Sequence, residues 1–119
     1  MTADRAVLSH HVLQEKIEEL APYDNVAGRR AEILVKENDL RVTLVTMRAG
    51  IQLDEHSTPV SITIQVLQGE FEVLYDGGSV TLGTGGFLSL RRDVRHTVRA
   101  NSDGAFLLTL GWDSPGEAI

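Results

Sequence analysis

Four histidines carry most of the chemistry open to this chain, which has no cysteine. Imidazole titrates near neutral pH, gives or accepts hydrogen bonds and ligates metals. His10 and His11 are adjacent in a segment of helical spacing, where neighbouring side chains diverge by about 100°. Rings splayed that far do not grip one ion, so the two read as surface or capping residues. His56 and His96 lie instead beside strand-like segments, where a sheet can aim both rings at one space. Other arrangements are weaker. Glu70 and Glu72 share one strand face opposite Phe71, Val73 and Tyr75, which is the pattern of a solvated side. Gly83-Thr84-Gly85-Gly86 lacks the lysine and following helix of a phosphate cradle and reads as a strand turn. Neither a Gly-x-Ser-x-Gly elbow nor a His-Glu-x-x-His pair occurs. Arg91, Arg92, Arg95 and Arg99 form a basic run, read either as an ordinary solvated loop and strand face or as an anion-attracting rim.

The elements that must position these groups are mostly strands. Residues 9–21 read as one short helix: Leu13, Ile17 and Leu20 recur at helical spacing, charged residues lie off that stripe, and Pro22 follows. The stripe is narrow, which predicts a helix packed on the outside of something larger. After Gly28 the texture changes. Residues 31–35, 40–47, 61–67 and 70–75 are rich in β-branched residues and alternate apolar with polar. Turn signals separate them at residues 37–39, 49–50, 68–69, 76–78, 83–86 and 101–104. Short strands broken this often predict a sandwich or barrel, and no helical stretch lies between them to make a parallel crossover.

The 119 residues suffice for one domain, with residues 1–30 as a helical segment packing on the barrel, 31–112 as the barrel and 113–119 as a loose tail. No segment reaches the roughly 18 unbroken apolar residues of a membrane span. The N-terminus is charged where a signal peptide would be apolar. With the absence of cysteine, this fits a cytoplasmic protein without a membrane partner. The net charge of −6 repels phosphate backbones and argues against nucleic acid.

From Gly50 to Ala100 the chain resembles the cupin superfamily. The first cupin motif is a glycine, five residues, His-x-His, three residues, an acid, six residues and a glycine. Gly50, His56, Thr58, Ile62 and Gly69 fall on those positions. The second is a glycine, five residues, Pro-x-Gly, two residues, His, three residues and Asn; Gly85, Arg91, Asp93, His96 and Ala100 occupy them. No insertion or deletion interrupts either motif, and with its flanking strands the resemblance covers most of residues 31–112. It implies an all-β fold, an antiparallel double-sheet jelly-roll barrel (RmlC-like), here with a short N-terminal helix.

Strand parity agrees with it. Side chains alternate with a period of two, so Ile62, Ile64 and Val66 would point inward with His56 and Thr58, while Ser61, Thr63 and Gln65 face out. His96, Val98 and Ala100 share one face, as do Phe106, Leu108, Leu110 and Trp112. Gln52 and Asp54 share the parity of His56 and on that count would reach inward near the barrel mouth. The expected pocket is lined by His56, Thr58, Ile62, Ile64, His96 and Met47.

Metal-binding members of the family use both first-motif histidines, the acid and the second-motif histidine. This chain keeps His56 and His96 but has Thr58 and Ile62 at the other two positions. Two imidazoles make a poor cage for zinc, iron, nickel or manganese, which need three or four protein ligands. Three readings follow. The favoured one is a protein that binds a small, acidic molecule in an apolar pocket through His56 and His96. The second is a metal-dependent enzyme of dioxygenase or isomerase type, using the same histidines as residual ligands at low metal occupancy. The third is a non-catalytic dimeric scaffold; a homodimer is expected in any case, with residues 31–35 and the N-terminal helix as a contact surface. Substrate and metal identity do not follow from these residues.

Overall fold

A computed structural model describes residues 6–21 and 26–112 of the chain. Among these residues the elements are one helix, α1 (Leu13–Leu20), and nine strands: β1 (Arg29–Lys36), β2 (Leu40–Met47), β3 (Gln52–His56), β4 (Ile62–Gln68), β5 (Phe71–Tyr75), β6 (Gly78–Leu82), β7 (Phe87–Leu90), β8 (His96–Ala100) and β9 (Gly104–Gly111). They form two antiparallel sheets, ordered β1-β2-β9-β4-β7 and β3-β8-β5-β6. Non-sequential neighbours in both sheets make this a jelly roll, the fold class expected from the sequence. The sheets stay separate at their edges and enclose one apolar interior.

Both sheets supply that interior. Val45, Met47, Ile62, Ile64, Val66, Phe106 and Leu110 come from the larger sheet, and Phe71, Val73, Leu82, Val98 and Ala100 from the smaller. Phe71 and Phe106 meet edge to face across the gap at 5.1 Å between centroids, the offset geometry that ring quadrupoles favour. The period-two expectation holds for β4, where Ile62, Ile64 and Val66 are buried between more exposed neighbours.

The helix covers the outer face of the larger sheet. Ile17 packs against Leu34, Leu44 and Ala105, and the buried Thr46 hydroxyl donates to the Leu20 carbonyl at 2.9 Å, satisfying an end group of the last turn. The helix is shorter than the span 9–21 expected from sequence. Val12 at its N-cap is extended and gives no side-chain cap, so nothing there holds an earlier turn. Pro22 and the tail at 113–119 fall outside the described residues. Among the described residues, no helix is long and apolar enough to cross a membrane.

Candidate functional site

β3 ends at His56 and β8 begins at His96, and the register sets the two residues directly opposite one another. Their rings meet at 4.3 Å between centroids, tilted by 60°. His96 is only 2% exposed, whereas His56, on an edge strand, remains exposed. Each Nδ1 lies 2.9 Å from a carbonyl two residues earlier, Asp54 for His56 and Val94 for His96. A carbonyl oxygen only accepts, so both Nδ1 atoms carry the proton and donate it. In each neutral ring Nε2 is then the acceptor. Burial pushes the His96 pKa below its ordinary value and the adjacent His56 ring acts the same way, against the opposing Val94 hydrogen bond.

Sequence parity is corrected at β3. The ladder pairs Gln52 with Arg99 and Leu53 with Val98, then shifts before His56 meets His96. A bulge takes up one residue there. Leu53, not Gln52 or Asp54, packs on the core, while Gln52 and Asp54 are exposed.

The loops on either side are tied together. The Asp93 backbone N–H donates to the Thr58 carbonyl at 2.7 Å, holding the β7–β8 loop against the β3–β4 loop. Asp93 has φ of 65°, the left-handed conformation that Asp tolerates better than most residues. The Thr58 hydroxyl donates to the Val60 carbonyl at 2.8 Å, so it serves its own loop. Ile62 lies between Leu90 and Leu110, and Ile64 between Leu88 and Leu108; both are at most 2% exposed and belong to the apolar core between the sheets. Met47 is placed elsewhere. It pairs with Gly104, at the barrel end where Ala100 hands the chain to β9, while His96 begins β8 at the other end. Antiparallel register thus separates Met47 from the pair by most of a strand length.

One neighbour was missed in the sequence reading. Tyr75 lies directly across from His96 on β5, so His56, His96 and Tyr75 form a row over three strands. The phenol leans over Gly78, whose missing Cβ would stand 3.1 Å from the hydroxyl. The Phe71, Val73, Tyr75 alternation marks Tyr75 as inward, but nothing local marks it as the partner of His96.

The charge nearby is mixed. Arg95 pairs with Glu55 at 3.3 Å and both border a concavity of about 490 Å³, while Arg91, Arg92 and Arg99 are exposed. No group of three or more His, Cys, Asp or Glu able to hold a metal occurs among the described residues. The donor set therefore falls short of the three or four protein ligands a held metal needs.

Residues 43–110 match the family model of the cupin domain. The chain belongs to the cupin domain family. Solved structures agree in fold. An RmlC-like cupin from Desulfovibrio desulfuricans is 23% identical, aligns over 93% of this chain and 96% of its own, and has a TM-score of 0.65. A conserved protein of unknown function from Streptococcus pyogenes is 20% identical over 76% of this chain and 79% of its own, with a TM-score of 0.70. A cupin 2 conserved barrel domain protein from Leptotrichia buccalis is 26% identical over 74% of this chain but 43% of its own, with a TM-score of 0.69. No curated protein matches the chain. In this cupin the family's first-motif glycines, Gly50 and Gly69, adopt φ of 86° and 82°. At Gly69 a Cβ would also come within 2.5 Å of the Asp103 carbonyl oxygen, which excludes any side chain.

Proposed function

We propose that this cupin binds a small acidic molecule at the His56–His96 pair. The observation that carries the reading is the double Nδ1 anchor: both rings are oriented by backbone carbonyls, which leaves an Nε2 acceptor on each of two rings 4.3 Å apart, at one end of an apolar core. Convergent polar groups on an apolar background are the usual form of a ligand site. Acceptors of this kind select a group that brings its own proton, a carboxylic acid or an enol. Transfer of that proton to Nε2 gives an imidazolium facing an oxyanion, and a charge-assisted hydrogen bond replaces a neutral one. His56 presents the exposed ring, and His96 behind it supplies the second nitrogen.

Calorimetry with malonate and with pyruvate tests this. The expected result is binding to the wild type accompanied by proton uptake, weakened at least about tenfold in a folded His96→Ala variant. Equal affinity in the two proteins rejects the reading.

The Nε2 acceptors on two rings 4.3 Å apart also favour a second reading, a divalent metal held by both rings with water filling the remaining positions. Elemental analysis after dialysis separates the two: one equivalent of retained metal replaces the first reading with the second, and its loss on dialysis supports the first.

A further inference from the structure

Trp112, the sole tryptophan of the chain, directly follows β9, and its backbone N–H donates to the Asp39 carbonyl at 3.0 Å. That bond ties the start of the indole to the β1–β2 turn. The ring packs, partly buried, on the barrel core, and the Arg41 guanidinium lies 5.6 Å from its centroid, within cation–π range. Trp112 borders two concavities, of about 400 and 410 Å³. One contains Arg41, Lys36 and Glu37, cations and an anion together. The other is lined by Trp112, Pro59, Val60, Ser61, Arg92 and Gly111 and has a single charge, that of Arg92. Arg92 is exposed and joins none of the ion pairs among the described residues.

We propose that this second groove binds a small planar aromatic carboxylate, with its ring against Trp112 and Pro59 and its carboxylate on Arg92. Three features select that chemistry. An indole beside a proline ring offers flat apolar surface that an aromatic ring matches. A guanidinium without an acidic partner presents the planar fork that a carboxylate fills with two hydrogen bonds. The Ser61 hydroxyl adds a further donor, and the volume lies in the range of small-ligand sites. Neither His56 nor His96 lines this groove. Within the β3–β4 loop, the groove takes Pro59, Val60 and Ser61, which follow His56 in sequence without including it.

Titration of the full chain with benzoate, following the single indole N–H cross-peak by NMR, tests the proposal. The expected result is a saturable shift in the millimolar range, weakened about tenfold by Arg92→Gln and retained in His96→Ala. Benzyl alcohol, with the ring but no charge, and cyclohexanecarboxylate, with the charge but no planar ring, should each bind several-fold more weakly. An unmoved indole peak, an Arg92→Gln variant titrating like the wild type, or equal binding of benzyl alcohol overturns it. A shift abolished by His96→Ala also overturns it, by assigning benzoate to the imidazole pair; failure at the groove alone leaves the imidazole reading intact.

Discussion

Leu53 and His56 lie three residues apart in β3, yet Leu53 pairs with Val98 and His56 with His96, two residues of one inward face. In an uninterrupted strand an odd spacing sends side chains to opposite sides. The bulge between them absorbs the extra residue and brings His56 over the buried His96 ring. The candidate site therefore depends on an irregularity in an edge strand as much as on the identity of its histidines.

Acid should expose the burial of His96. Its folded pKa is lowered from the ordinary 6.5, first by burial, so as pH falls the unfolded chain takes up this proton before the folded one does. By linkage, stability is unaffected by this group above about pH 6.5, declines as pH drops from there through the folded pKa, and levels off below it. Urea midpoints measured from neutral to mildly acidic pH should fall more steeply for the wild type than for His96→Gln. Parallel curves for the two proteins would contradict the prediction.

Returning the two missing family ligands should make stability depend on metal. A Thr58→His, Ile62→Glu double variant places a carboxylate where the residue is 2% exposed and flanked by Leu90 and Leu110. Without metal, the buried charge should lower stability by several kcal/mol, roughly 3–5 for an uncompensated ion. Thermal melts with added zinc or nickel should recover much of the loss in the variant and leave the wild type little changed. A variant blind to metal would show that the four positions do not converge.

Asp93 occupies the place of a family glycine with φ of 65°. Asp93→Gly should therefore raise stability by about 0.5 kcal/mol, as release from the left-handed conformation outweighs the added freedom of the unfolded chain. Asp93→Val should lower it by about 1–2 kcal/mol, since a β-branched residue fits that conformation badly. Denaturant midpoints of both variants check the pair; a destabilised glycine variant would point instead to a role for the carboxylate.

Much of the barrel was legible in one dimension. The Ser-Ile-Thr-Ile-Gln-Val alternation specified the burial of Ile62, Ile64 and Val66, because pleating alone sets a period of two. Motif glycines marked turns whose positive φ the backbone shows at Gly50, Gly69 and Gly85. The absence of a second motif histidine and of the acid could be read directly, and it already limited what metal the site could hold.

Relations between strands distant in the chain were not legible, because no local pattern encodes a register. Three-dimensional pairing set His56 against His96 in place of a regular continuation from Gln52 and Asp54, set Tyr75 opposite His96, and carried Met47 to the far end of the core. It also brought Trp112 and Arg92, from the end of β9 and the β7–β8 loop, to one groove. Side-chain alternation is a property of one strand, whereas which strands meet, and where a bulge slips the ladder between them, is settled by packing two sheets around a shared interior.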